Sequence, residues 1–143
     1  MYRIETAAPN CRREILDLLT AAQLPTAGAE DHLEHFFIAR DGGRLVGSIG
    51  LEIHGDVGLL RSLAVAAQAR GGGLGEQLVA RLIEYARGRE LRSIYLLTTT
   101  AEHYFPRFGF EPIPREAADP RLGASLEFQG VCPDSAACLR LEL

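Results

Sequence analysis

No apolar run in this 143-residue chain approaches the roughly 18–20 residues that span a bilayer, so the sequence offers no transmembrane helix. Its opening, Met1-Tyr2-Arg3-Ile4-Glu5-Thr6, lacks the apolar centre of a signal peptide. Charge of one sign is also missing as a block. The 19 acidic and 15 basic residues give a net charge of −4, and the basic stripe that nucleic-acid binders carry is absent. Cysteine is scarce and odd in number, at three, which argues against a disulfide framework. There is no internal repeat, low-complexity tract or linker. These absences predict a cytoplasmic protein with one domain over residues 1–143, whose partners are neither nucleic acid nor membrane.

What is present is the composition of a globular protein, 47% hydrophobic and 24% charged, with glycine crowded into one region. Eleven of the 15 glycines fall between Gly42 and Gly88. Tyr2 to Thr6 reads as a strand, and a helix follows from Pro9-Asn10 to about Leu24, with an apolar stripe of Ile15, Leu16, Leu18, Leu19 and Ala22. Asp41-Gly42-Gly43 is a three-residue hairpin signal between the strands Phe36–Arg40 and Arg44–His54. Leu59–Ala66 is a further strand. Period-two alternation puts Leu59, Arg61, Leu63 and Val65 on one of its faces, and Leu60, Ser62 and Ala64 on the other. Leu74, Leu78 and Leu82, flanked by Val79, Ile83 and Ala86, predict an amphipathic helix over Glu76–Arg89. Ser93–Thr98 reads as a buried strand, Ala101–Phe108 as a short helix closed by Gly109, and Ser125–Val131 with Ala137–Leu143 as a closing hairpin. The order β-α-(α)-β-β-β-α-β-α-β-β gives an α/β (α+β) fold with a mixed sheet flanked by helices.

The most informative stretch is Arg70-Gly71-Gly72-Gly73-Leu74-Gly75, set between a strand and a strong helix. The first amides of a helix point outward without acceptors and carry partial positive charge, and glycines let a bulky anion approach the backbone. Such a loop is a cradle for a pyrophosphate, or else a connection shaped only by packing. The helix field alone contributes roughly 0.3–2 kcal/mol per anion contact, so several hydrogen bonds must add to it. A P-loop needs Lys-Ser/Thr after the last glycine, where this chain has Glu76-Gln77. A dinucleotide fingerprint belongs in the first unit of a parallel sheet, whereas this loop follows a hairpin.

The run Leu63-Ala64-Val65-x4-Arg70 to Gly75 resembles the acetyl-CoA signature of the GNAT superfamily of N-acetyltransferases, Arg/Gln-x-x-Gly-x-Gly/Ala, met by Arg70, Gly73 and Gly75. A second motif, Ala, an aromatic pair and Gly-Phe, is met by Ala101, Tyr104-Phe105 and Gly109-Phe110. The resemblance runs from about Met1 to Pro114 in order. It implies a GNAT acyl-CoA N-acyltransferase fold, its sheet splayed between the parallel strands Leu59–Ala66 and Ser93–Thr98. It implies acetyl-CoA as cosubstrate and no metal. Leu63, Ala64 and Val65 would pair with the pantetheine arm, and the amides of Arg70, Gly71, Gly72, Gly73, Leu74, Gly75 and Glu76 would hold the pyrophosphate. Gly71 to Leu78 with Leu96 to Ala101 is similar to the acetyltransferase domain of bacterial N-acetylglutamate synthase. Leu59 to Leu63 with the tail Phe128 to Cys138 resembles the arsenic-resistance N-acetyltransferases. The implied activity is acetylation of a small-molecule primary amine, on an amino acid or a toxic amino-acid analogue. The alternatives are glutamate acetylation for arginine synthesis and a non-catalytic acyl-CoA or metalloid sensor. Superfamily habit also implies a homodimer.

The catalytic groups are less defined. Deprotonating an amine of pKa near 10.4 at pH 7 costs about 4.5 kcal/mol, so a general base is wanted. Glu52 and His54, two apart on one strand face, are candidate bases or an ion pair. Phe105 stands where the superfamily has a tyrosine acid, and Tyr104, about 100° round a helix, is expected to face elsewhere. Arg61, a charge in an apolar strand, needs an anion: a substrate carboxylate held by paired hydrogen bonds, or an internal acid such as Glu52. Thr98, Thr99 and Thr100 bind cofactor amides or substrate, or are simply good strand residues; Arg107 reaches a CoA phosphate or is a solvated charge; Ala101 and Phe105 join the cofactor-binding set. Cys132 and Cys138 are either soft ligands for arsenic or small buried hydrophobes. His32, His35 and His103 form no metal-ligand pattern.

Overall fold

A computed structural model describes residues 2–143; Met1, where the motif match begins, lies outside the described residues. The elements are β1 (Arg3–Thr6), α1 (Arg12–Ala21), β2 (Phe36–Asp41), β3 (Arg44–His54), β4 (Val57–Val65), α2 (Leu74–Gly88), β5 (Ser93–Thr98), β6 (Glu111–Ile113) and β7 (Ala137–Glu142). They form one seven-stranded sheet in the order β1-β2-β3-β4-β5-β7-β6. Among the described residues only β4 and β5 run parallel; every other pair is antiparallel. No helix among the described residues is long and apolar enough to cross a membrane.

The helices cover opposite faces of the sheet. In α2 the four-residue spacing of Leu74, Leu78 and Leu82, with Val79, Ile83 and Ala86, makes a buried stripe against Ile49, Leu51, Leu60, Ile94 and Leu96. Each leucine so buried contributes roughly 1.5–3 kcal/mol of transfer free energy. On the other face α1 buries Ile15 and Leu19 against Phe36, Ile38 and Ala64. It ends where Gln23 takes φ +60° and Leu24 N–H donates to Leu19 O, two residues short of Pro25. Beside it, Val57, Leu59, Tyr95 and Leu122 form a smaller cluster under the late segment.

Four local expectations change. The β2–β3 turn is a two-residue Gly42-Gly43 loop, because Asp41 itself pairs with Arg44. The segment after β5 is helical only as a 3₁₀ turn over Phe105–Phe108, where Pro106 removes an amide that an α-helix would use. Ser125–Val131 is not a strand. Glu127 N–H donates to Ser125 Oγ at 3.1 Å and Gly130 sits at φ +117°, so the chain coils into a π-type turn instead. β7 therefore finds its hairpin partner in β6, with Glu111 opposite Arg140, and slots between β6 and β5.

The fourth change positions the site. Ser48 pairs with Ala64 but Gly50 pairs with Arg61, so β4 carries one extra residue there, and Ser62 takes φ +61°. This bulge reverses the alternation. Leu63 and Val65 join Leu60 on the α2 side, while Ala64 joins Leu59 and Arg61 on the α1 side. The predicted face of Leu59, Arg61, Leu63 and Val65 is thus split in two.

Gly50, in mid-strand, accommodates Phe36 across the β2–β3 ladder: a Cβ there would lie 2.2 Å from the ring. Gly50→Ala should lower stability by about 1–3 kcal/mol in urea titration, since Phe36 is fully buried and has nowhere to move. Gly43→Ala, where the added methyl meets open space, should stay within about 0.5 kcal/mol of the parent.

Candidate active site

The parallel pairing of β4 with β5 covers only Val57–Leu59 against Ser93–Tyr95. Beyond it the strands part, β5 continuing to Thr98 against β7 while β4 bulges at Ser62. The gap is a cavity of about 140 Å³ whose walls include Leu60 to Leu63, Leu96 to Thr98, Ala101, Tyr104, Phe105, Glu127 and Cys132. Main-chain groups of β4 past Leu59 face this gap without a strand partner.

A second hollow, sharing Tyr104 with this cavity, lies at the glycine loop. Gly73 is the N-cap of α2 in the left-handed region, φ +81°, and no side chain caps the helix. The first amides of α2 therefore face a surface hollow lined by Val65, Arg70, Gly71, Gly73, Leu74, Gly75, Glu76 and Tyr104. Gly71 leaves open space where a Cβ would stand, and a Cβ on Gly75 would be 2.8 Å from the Tyr104 hydroxyl. The donor set and the bare backbone fit a diphosphate, with the Glu76 carboxylate in the same lining held by Arg107. Arg70 Nε donates to Val65 O at 3.0 Å, pinning the loop to the strand end. Arg107 stacks over the Tyr104 ring at 4.4 Å and pairs with Glu76 at 3.2 Å, on the rim of the same hollow.

Tyr104, expected to turn away, lines both the hollow and the cleft. Its phenol is pushed above the ordinary value by burial and by Glu76. Phe105 is buried in the cleft wall, edge-on to Tyr104 and Phe110, and brings no proton. Thr98 Oγ1 accepts from Ala101 N–H at 2.9 Å and from Thr100 N–H at 3.3 Å, so it shapes the turn after β5. Thr99 is exposed and lines a neighbouring groove with Gln23, Pro25 and Cys132.

The cavity also borders a buried charge cluster. Arg61, its side chain fully buried, donates from Nη1 to Glu52 Oε2 at 2.7 Å, from Nε to Ser62 Oγ at 3.1 Å and from Nη2 to Ala27 O at 2.9 Å. Its Nε also lies 3.5 Å from Glu127 Oε2. Of the two readings of Arg61, the internal ion pair is the one built here, and a substrate carboxylate would have to displace a protein acceptor. Glu52 and His54 do not line the cleft, contrary to their role as candidate bases. Glu52 lies behind Arg61, receiving His54 Nε2 at 2.8 Å and with His32 Nε2 at 3.7 Å. Burial works to raise the Glu52 carboxyl, but hydrogen bonds from His54 and Arg61 outweigh it and hold it below the ordinary value. Burial also lowers His32.

Glu127 escaped the sequence reading. It lines the cleft, is 4% exposed, and burial pushes its carboxyl up to about 7, Arg61 opposing and Glu52 reinforcing the shift. Its only sequence signal is a lone acid in an apolar stretch, masked once that stretch is taken for a strand. Cys132 and Cys138 are free and buried, and burial raises both thiols, Cys132 to about 11. They are small buried hydrophobes at neutral pH rather than the thiolates that soft metalloids bind.

A family description, the acetyltransferase (GNAT) family, matches residues 1–110. Curated relatives include an amino-acid acetyltransferase of Neisseria meningitidis, 36% identical over 57% of this chain and 19% of its own length. Another, from Pseudomonas aeruginosa, is 33% identical over 70% of this chain and 24% of its own. The chain thus spans about a fifth of the length of these relatives. Among solved structures, N-acetylglutamate synthase of Neisseria gonorrhoeae, in complex with coenzyme A and N-acetyl-glutamate, superposes with a TM-score of 0.85. It is 25% identical, and the match covers all of this chain and 35% of that one. A Mycobacterium tuberculosis protein in complex with CoA has a TM-score of 0.81 over 99% of both chains; at 20% identity it speaks for the fold alone.

The two acids give stability opposite pH dependences. Glu52, lowered on folding, contributes stability present above about pH 4.5 and lost on acidification. Glu127, raised from 4.5 to about 7, makes the folded state lose stability as pH rises between those values. Glu127→Gln should remove only the second slope. Between pH 5 and 8 the parent should lose roughly 2–3 kcal/mol relative to the variant in urea titrations.

Proposed function

This chain belongs to the acetyltransferase (GNAT) family, and from that premise we propose that it transfers the acetyl group of acetyl-CoA to the amine of a free amino acid or amino-acid analogue. The observation that carries the reading is the meeting of two hollows at Tyr104. One lies at the uncapped N-terminus of α2; the other lies where two parallel strands diverge and has Arg61, Glu127 and Cys132 in its lining. Acetyl-CoA supplies an activated acyl group as a thioester. The gap-facing edge of Leu63–Val65, where Arg70 now occupies Val65 O, would take the amides of its pantetheine arm, and the amides of residues 70–76 its diphosphate. Ala101, Phe105 and Thr98 would line the arm's path, with Arg70 and Arg107 beside the phosphates. The apolar wall at Phe105 keeps the thioester away from water. The departing thiolate, of pKa near 8.5, needs little help from an acid.

Amino-acid acceptors are supported by the named activity of the Neisseria and Pseudomonas relatives. The reading extends to two acceptors that share an α-amino-acid head. Glutamate is supported by the Neisseria gonorrhoeae neighbour, and an arsenical or other toxic analogue by the resemblance of the Phe128–Cys138 tail.

Thiol release from acetyl-CoA, measured over the amino acids, their phosphinic and arsenical analogues and polyamines, tests this. Turnover is expected with α-amino acids and little or none with polyamines. Gly73→Val, which forces a branched side chain into the left-handed N-cap, should raise KM for acetyl-CoA at least about tenfold while leaving the acceptor KM within about threefold. Absence of thiol release from every amine would remove the transferase reading.

A further inference from the structure

The acids of the buried charge cluster differ in how they are neutralised. Both oxygens of Glu52 are taken, one by Arg61 at 2.7 Å and one by His54 at 2.8 Å. Glu127 has Arg61 Nε at 3.5 Å as its charged neighbour, and that nitrogen already donates to Ser62 Oγ at 3.1 Å. It is buried and lines the cleft, which Glu52 does not. A carboxylate stripped of water in this way is stabilised either by a proton or by a second cation. An amino-acid acceptor brings such a cation, because its amine arrives as an ammonium ion at neutral pH.

Resting on the acetyltransferase reading above, we propose that the Glu127 carboxylate receives the acceptor's ammonium group in the cleft and takes one proton from it, acting as the general base of acetyl transfer. One N–H bond of the ammonium breaks and an O–H bond forms on Glu127. The freed nitrogen pair forms the bond to the acetyl carbonyl carbon, the C–S bond breaks, and its electron pair leaves on sulfur. The second proton lost from nitrogen neutralises that thiolate, and Glu127 returns its own to water. The sum is ammonium plus thioester giving amide, free thiol and one proton.

The groups facing Glu127 allow this cycle. Arg61 from β4 favours its charged form, Glu52 from β3 opposes it, and Cys132 of its own turn favours the charge weakly. His32 and His54 stand on the far side of Glu52 and do not line the cleft. The carboxylate is therefore held between two protonation states rather than locked in one, as a general base at neutral pH requires. Arg61 acts through its neighbours: it fixes Glu127 in the cleft and holds the Pro25–Ala27 backbone over the same space.

The test compares parent, Glu127→Gln and Glu127→Asp in thiol release from acetyl-CoA, with L-glutamate and a panel of the other amino acids as acceptors, from pH 5.5 to 9. The parent should show kcat/KM rising with pH through an acidic limb. Glu127→Gln should lose about 100-fold or more in kcat and abolish that limb, with KM for acetyl-CoA within about twofold. Glu127→Asp should keep the limb at reduced kcat. Glu127→Gln that is folded by circular dichroism, with kcat within about threefold of the parent and the same limb, overturns the proposal and leaves the acetyltransferase reading standing. If the Gln variant does not fold, Glu127→Asp decides: a retained limb with lowered kcat supports the proposal, and an unchanged kcat overturns it. A parent that binds acetyl-CoA yet turns over no amino acid overturns both.

Discussion

The structure depends on satisfying one buried guanidinium. Arg61 has no exposed side-chain surface, and leaving a charge so placed without anions would be destabilising by several kcal/mol. Its acceptors come from separate parts of the chain: Glu52 of β3, the carbonyls of Pro25 and Ala27 after α1, Ser62 of its own strand, and Glu127 of the late turn. Meeting that demand draws the loop after α1 and the late coil against the end of the sheet, where the cleft closes. The bulge beside it does the complementary work. By adding one residue to β4 it turns Arg61 and Leu63 to opposite faces, beyond the point where the ladder to β5 stops.

The outcome is a cleft with two chemically distinct ends and an apolar middle. At one end positive potential comes from main-chain amides at the start of α2, which suits a doubly charged diphosphate and needs no lysine. At the other, one cation is shared between two carboxylates, one fully hydrogen-bonded and the other not. Phe105 and Leu96 wall the cleft with apolar surface, so a thioester held against them would meet little water. Tyr104 joins the regions: its ring is in the cleft wall and its hydroxyl lies against Gly75.

Much of this was legible in the sequence wherever periodicity or a local backbone requirement decides the answer. The leucine spacing of α2 and the apolar run of β5 each have a single economical reading, the glycines before α2 have two, and the structure bears out the helix, the strand and the splay of the sheet. Arg61 stood out because a charge inside an apolar strand demands a partner, though two partners were open. The bulge at Ser62 was not legible. Nothing in Leu59-Leu60-Arg61-Ser62-Leu63 departs from alternation, and the extra residue exists only in the register against β3. Ser125–Val131 misled for a related reason. Its apolar content fits a strand, but a serine cap and a positive-φ glycine coil it, and that coil alone carries Glu127 into the cleft.

The central claim, that the main-chain amides before and at the start of α2 hold the coenzyme while β4 and β5 part around it, is tested most directly by amide hydrogen exchange with and without CoA. Slowed exchange confined to residues 63–65 and 70–76, with the surface of α1 unchanged, is the result this account predicts. Unchanged exchange in the glycine loop at saturating CoA, or protection appearing instead in the groove between α1 and Arg44–Leu45, would contradict it.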